Sequence, residues 1–589
     1  MLKVSSDLRK LITGRLLPDA VAYFRKTLSV RRPVSPLRLQ RDCGNETKKR
    51  VNGNFFRYCL GECKDITYCG EVGTIQIPEA HLDVCRTCDS SKQHCTNKNA
   101  ENSGLVNTDF VLYVSAFATS NCHRNGDVIA YASTCQQEGM LDRPIAGFVN
   151  FCVSKMKRNL HYSHLLAIVK HEIFHAIGFS KRLYSYYRAE DGTPLTQRIA
   201  DGRPASEWSE KVIKEVTRNE WRISNGSSIS HKVLMIVTPR VVKEVQSHFN
   251  CSLLEGAEIE NQGDPGQRHT HLEKRVFENE AMTGVFTNNP VFSRITLAVM
   301  EDTGWYRVDY AMAEPLDWGR NAGCIFARNS CKAWMDHQSK MNNSIAPYCS
   351  RLPSKSHTHS GCTHNYHGVG VCNLRKYKTP LGKEYRYFDF LPGVSTPTYY
   401  GGGIELADYC PYYQELDWKQ DGITIRGSSC KHETNNPISS ENYALEMYGE
   451  NSACFLHGQA WMQKQCSKPT VTAVNWGSGC YSYTCSGEGL TLSISGQSYT
   501  CWFTGQILNI VVVHKNSLHN GSIICPSCDD FCDSCPMVES RNFLNSTYLN
   551  LLQYRSNNVL VCCSLSLHQS FNHIAVFLLL SMLVIERLC

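Results

Sequence analysis

Residues 168–182 read IVKHEIFHAIGFSKR, and within them His171, Glu172, His175 and Gly178 make the pattern HExxHxxG. Histidines at i and i+4 stand one turn apart on one face of a helix, so both imidazoles reach a single Zn2+ at about 2.0–2.1 Å. Glu172, beside the first of them, is then placed to take a proton from a zinc-activated water and pass it to a leaving amine, while the zinc polarises a scissile carbonyl. That chemistry is peptide-bond hydrolysis. The bare HExxH pattern also arises by chance on surface helices. Here it follows strand-like segments and ends in Gly178, where the chain must turn, and the zinc site is the stronger expectation.

A catalytic zinc needs a third protein ligand. The compact spacing would put it at position 181, but that residue is Lys181, and an ammonium is no ordinary ligand at neutral pH. The ligand therefore comes from farther on, with His231, His248, His269 and His271 as candidates, or a glutamate such as Glu278 or Glu280 in a thermolysin-like site. The stretch from His269 to Gly284, HTHLEKRVFENEAMTG, contains Met282, and a methionine turn below the metal is the expected companion of an HExxHxxG helix. Gly178 and Met282 both speak against the thermolysin-like alternative.

The elements that must hold these residues are legible from periodicity. TDFVLYVSA, GDVIAYAS and IAGFVNF are short apolar or alternating runs and predict strands of one sheet. A helix follows, with Ser163 as N-cap and Leu166, Val169, Ile173 and Ala176 on one stripe; that face packs on the sheet and turns His171 and His175 toward a cleft. From Lys181 to about Phe326 the chain is more polar, with helical patterns such as SEWSEKVIKEV. Beyond that, to about Asn558, Gly, Tyr, Cys and runs such as GLTLSIS and QILNIVVV predict a disulfide-held, mainly β region. The expected class is α+β. The expected division is 1–180 with the zinc-binding helix, 181–326 with the third ligand and the methionine, 327–558 as a Cys-rich domain, and 559–589 as an apolar tail.

The chain has 589 residues, 42% apolar and 10% aromatic, an ordinary globular composition. Its formal charge of +7 is thinly spread, and the basic cluster RRPVSPLRLQR predicts a solvated surface with no nucleic-acid partner. Thirty cysteines point to disulfides and the secretory pathway, hence to an extracellular protein, secreted or attached to the cell surface. Sequons at Asn45, Asn225, Asn250, Asn342, Asn520 and Asn545 agree with that compartment. The run CPSCDDFCDSC, spaced like a zinc knuckle, is better read as disulfides there, and the histidines 357, 359, 364 and 367 as a polar loop. Ile574 to Ile585 is a twelve-residue apolar run, short for a bilayer span; a lipid-anchor signal and a small core helix are the alternatives. The first residues, MLKVSSDLRKLITGRLL, do not read as a signal peptide, so a leader is expected upstream of this start.

Taken together, HEIFHAIGFS, HLEKRVFENEAMTG and ITLAVMEDTGWYRVDYAMAEPLDWGRNAGC closely resemble leishmanolysin, the surface zinc metalloprotease family that includes the invadolysins. LPDAVAYFRKTLSVRRP, NTDFVLYVSA, IAYASTCQ and GFVNF extend the resemblance over most of the chain. It implies a metzincin-like catalytic core with a disulfide-rich, mainly β C-terminal domain. It further implies one Zn2+ held by His171, His175 and His271, with Glu172 as base and acid and Met282 as the methionine turn. The third histidine is then displaced by inserted sequence, from Ser180 to Thr270, and not lost. Protein or peptide substrates would lie along an edge strand, and LPDAVAYFRKTLSVRRP would be close to the start of a mature enzyme made as a proenzyme. The rival is a non-catalytic adhesion glycoprotein that keeps the fold; its signature would be loss of Glu172 or of a ligand, and the sequence retains them.

Overall fold

Three strand-like runs before the HExxH segment pair into one sheet: β1 (Val111–Ser115), β2 (Ala130–Gln137) and β3 (Pro144–Phe151). In the computed structural model, which describes residues 4–535 except 52–53, 71–72, 74, 90, 92–93, 99–102, 124–127, 157–161, 288, 353–357, 421–422, 467, 473–474 and 488, the order is β1-β3-β2. β1 runs parallel and β2 antiparallel to the central β3. β3 is buried at every position, as its unbroken apolar run requires. Disulfides Cys69–Cys135 and Cys122–Cys152 fasten β2 and the residue that follows β3.

Helix α1 (Tyr162–Ile177) lies on this sheet. Gly147 of β3 allows the close approach: a Cβ there would stand 3.2 Å from the Ala176 Cβ and 2.9 Å from the Ser133 carbonyl oxygen. Ser163 sits inside the helix and is not its N-cap. The buried set is also wider than one stripe. Leu165, Ile168, Val169, Ile173, Phe174, Ala176 and Ile177 are all covered, because Phe24 from the helix Leu17–Thr27 packs on Phe174 from another side, with ring centroids 4.8 Å apart. At the helix end the amides of Gly178 and Phe179 both donate to the Phe174 carbonyl. Gly178 serves packing more than turning, since its φ is not left-handed and a Cβ would lie 2.6 Å from the Met300 Cε.

The sequence after Lys181 folds into a second small sheet. β4 (Ile213–Arg222) and β5 (Ser228–Ile236) form a hairpin, followed by α2 (Pro239–Phe249) and by β6 (Ala257–Ile259), which pairs with β5. The helical pattern expected in SEWSEKVIKEV is therefore overturned: its last four residues, IKEV, begin β4. Apolar residues at 212, 213 and 216 satisfy either period, and cross-strand pairs such as Ile213 with Ile236 and Val216 with Val233 decide for the strand. Asn225 and Gly226, with φ of 61° and 65°, make the tight turn that such a hairpin needs. The short helix α3 (Lys274–Phe277) and α4 (Arg294–Asp302) complete the part that surrounds the histidines.

Two units emerge, one of Met1–Tyr348 with Arg375–Pro411, the other of Cys349–Leu374 with Tyr412–Cys589. The second is built on a sheet ordered β10-β9-β8-β7-β12-β11, where β7 is Ser452–Gln465, β8 Ser478–Ser486, β9 Gly489–Ile494, β10 Gln497–Cys501, β11 Ile507–His514 and β12 Ser517–Ile524. β11 alternates cleanly, burying Leu508, Ile510 and Val512. The CPSCDDFCDSC run forms disulfides, Cys501–Cys525, Cys485–Cys532 and Cys528–Cys535. The protein is thus mixed α/β, mainly β, and rich in disulfides. Among the described residues no helix is long and apolar enough to cross a membrane. The apolar run Ile574–Ile585, Asn545 and His357 lie outside the described residues.

Candidate metal centre

Three imidazoles converge where α1 meets the segment after β6. His175 Nε2 lies 3.0 Å from His171 Nε2 and 3.2 Å from His271 Nε2. α1 presents the first two by its i, i+4 spacing. His271 follows a run of turns and is held by its neighbours: Leu272 bridges Ile259 of β6 and Thr283, and the Glu260 amide donates to the His271 carbonyl. The inserted sequence thus contains a folded sheet, and the pairing of its last strand, β6, with Leu272 holds the third histidine in place.

The hydrogen bonds on the far side of each ring reveal what the triad is built for. His171 Nδ1 donates to the Ala281 carbonyl at 2.6 Å, His175 Nδ1 to the Phe179 carbonyl at 2.7 Å, and His271 Nδ1 to the Gln267 carbonyl at 3.0 Å. A carbonyl can only accept, and the Thr270 hydroxyl that also meets His271 Nδ1 at 3.0 Å gives its own proton to the Gly266 carbonyl, so each ring proton sits on Nδ1 and each Nε2 carries a bare lone pair. Burial drives the His175 imidazole down to about 4 and that of His271 to about 3, and burial together with its two neighbours drives that of His171 well below its ordinary range. Bare nitrogens 3.0–3.2 Å apart repel and cannot bond one another. A cation between them resolves the conflict, and three nitrogens sharing a tetrahedral zinc would stand roughly 3.3 Å apart. The residues therefore fit a metal.

Glu172, next to His171 on α1, faces Ala132 of the sheet. Burial pushes its carboxyl up to about 8, opposed by a hydrogen bond from the Ala132 amide of β2. β2 is one of the two edge strands of its sheet and, among the described residues, is hydrogen-bonded as a strand to β3 alone.

The other candidates are engaged elsewhere. His231 stacks on Trp221 with centroids 4.1 Å apart, and His248 Nε2 meets the Trp318 carbonyl. His269, at φ 63°, turns its ring onto Trp208. Lys181 pairs with Glu207 at 2.9 Å. Glu278 sits 3.7 Å from Lys274 Nζ. Glu280 is sealed by four donors: the Met282 and Ser293 amides and the hydroxyls of Ser293 and Thr296. Met282 is fully buried, and its carbonyl accepts from the amide of Leu272, next to His271. Sequence reasoning missed Glu280 as the brace of this turn, as well as the Ala132 amide and the three carbonyls. No side-chain motif marks a backbone partner, although NExM does mark the turn.

Comparison with known proteins identifies the family. The family profile for leishmanolysin, peptidase family M8, matches residues 68–539. A leishmanolysin-like peptidase of Drosophila melanogaster is 44% identical over 536 residues, 89% of this chain and 77% of the relative. The chain belongs to the leishmanolysin family. A leishmanolysin-like peptidase of Caenorhabditis elegans is 39% identical over 549 residues, covering 90% of this chain and 81% of its own length. The leishmanolysin of Leishmania tropica is 25% identical over 345 residues, 58% of this chain and 40% of that protein. Membership in the leishmanolysin family makes this chain a metalloendopeptidase, and His171, His175 and His271 are a group able to hold its metal.

Proposed function

We propose that this metalloendopeptidase is zinc-dependent, metzincin-like in its core, and cleaves proteins or peptides bound along the edge of β2. The observation that carries the proposal is the convergence of three unprotonated Nε2 atoms, each fixed by a carbonyl behind its ring. His171, Glu172 and His175 come from the 1–180 region, and His271 and Met282 from the 181–326 region. When bound by the three imidazoles, zinc supplies Lewis-acid polarisation of the scissile carbonyl and acidifies the attacking water.

Glu172 does the proton work. Its raised carboxyl would be drawn back toward the ionised form by a cation held in the triad, and that carboxylate then accepts a proton from the attacking water and hands it to the amine that leaves. The Ala132 amide orients that carboxylate. The edge strand offers backbone donors and acceptors, so an extended substrate gains affinity from main-chain pairing and selectivity from side-chain pockets. The Met282 turn holds Ala281, and Ala281 holds His171. Disulfide density supports an oxidising compartment, and we place the enzyme outside the cell, secreted or attached to the membrane, with the tail 574–585 as the candidate attachment signal.

The test is cleavage of casein by secreted protein. Glu172→Ala should lower turnover about 10²–10⁴-fold with folding intact, and a zinc chelator should abolish it reversibly. Cleavage by Glu172→Ala at the wild-type rate would refute the assignment.

A further inference from the structure

Behind His271 four carboxylic side chains are sealed from water: Glu258 at 2% exposure, and Glu260, Glu273 and Asp408 at 0%. One guanidinium lies among them. Arg275 Nη2 meets Glu258 at 2.9 Å and its Nε meets Asp408 at 2.8 Å. Lys274 is equally buried but turns its Nζ to the carbonyls of Glu278 and Val285, and Arg218, which also acts on Glu258, pairs with Glu255, a carboxylate it shares with Arg328. Four acids around one cation leave surplus negative charge in a dry interior, which is costly unless something neutralises it.

The hydrogen bonds locate the deficit. Glu273 Oε1 accepts from the Arg275 amide, Glu260 Oε1 from the Gln262 amide, and Asp408 Oδ1 from Gln262 Nε2. Glu258 Oε1, Glu260 Oε2 and Glu273 Oε2 are buried with no partner. Oxygens of Glu258, Glu273 and Asp408 lie within 4.8 Å of one another. Asp408 still has lone pairs to give, since each carboxylate oxygen carries two.

We propose that Glu258, Glu273 and Asp408 bind a second, structural divalent cation, separate from the histidine triad, with Glu260 adding negative charge beside it. The donors are all oxygen, which selects a hard ion and disfavours zinc. Calcium fits better than magnesium, because it accepts irregular carboxylate geometry and sheds water more readily. The ion would clamp the His271 segment from behind. The Glu273 amide donates to the Glu258 carbonyl and the Glu260 amide to the His271 carbonyl, while Asp408 comes from the segment Arg375–Pro411.

The test uses the full secreted chain. Elemental analysis should find one calcium per chain in addition to the triad's metal. Removing calcium with EGTA should lower the unfolding midpoint by roughly 5 °C, and calcium, but not zinc, should restore it. Glu273→Gln and, independently, Glu258→Gln should lose both the calcium and the response to it. A wild type with no calcium and a midpoint indifferent to EGTA and calcium would overturn the site, leaving protons as what neutralises the cluster.

Discussion

The Ala281 carbonyl accepts the Nδ1 proton of His171 across 2.6 Å, so the residue before Met282 sets the tautomer of a residue 110 positions earlier. The turn at Met282 is thereby a hydrogen-bonding device, and what it fixes is the direction of one lone pair of His171.

Glu280 holds that turn through four hydrogen bonds, although burial raises its carboxyl to about 6. Glu280→Ala should cost about 2–4 kcal/mol by orphaning buried donors, and should weaken zinc binding about 10-fold or more through Ala281. Thermal unfolding and zinc competition against a chelator measure the two effects. Unchanged zinc affinity in a folded variant would show that the turn does not tune the site.

Gly178 is required by a close contact. Gly178→Ala should destabilise by about 1–3 kcal/mol, because the new methyl collides with the end of the buried Met300 side chain. Shortening the neighbour relieves the collision, so the double variant Gly178→Ala, Met300→Ala should cost less than the sum of the singles. Strict additivity in denaturant unfolding would exclude the contact as the reason for the glycine.

In the second unit, burial holds the His457 imidazole down to about 3; its Nε2 meets the Tyr481 hydroxyl at 2.8 Å and its Nδ1 has no partner. Its unfolded value is about 6.5. Between pH 6.5 and 3 the unfolded chain binds a proton that the folded chain does not, so stability falls as pH falls, by up to about 1.4 kcal/mol per pH unit. Hydrogen exchange in β7 should accelerate in that window, and His457→Gln should flatten the dependence. An equally steep profile in the variant would assign it to other groups.

The local part of the site was legible in the sequence and the tertiary part was not. HExxHxxG specifies a helix and two ring positions by spacing alone. The third histidine lies 96 residues beyond His175, and spacing could not separate His269 from His271. What separates them is backbone: a left-handed residue that turns its ring to Trp208 against one that precedes Leu272, which is bridged on both sides. SEWSEKVIKEV misled because strand pairing outweighs a short helical pattern, although Asn225-Gly226 signalled the hairpin. Glu258, Glu260, Glu273 and Asp408 look like surface acids in sequence, and only the fold buries them together.

The most direct test of the account is the zinc content of purified, folded His271→Ala beside the wild type, with Glu278 and Glu280 left intact and casein cleavage measured on the same samples. The account predicts one zinc per wild-type chain at the triad, and loss of both zinc and cleavage in the variant. Full zinc content with retained cleavage in His271→Ala would contradict it.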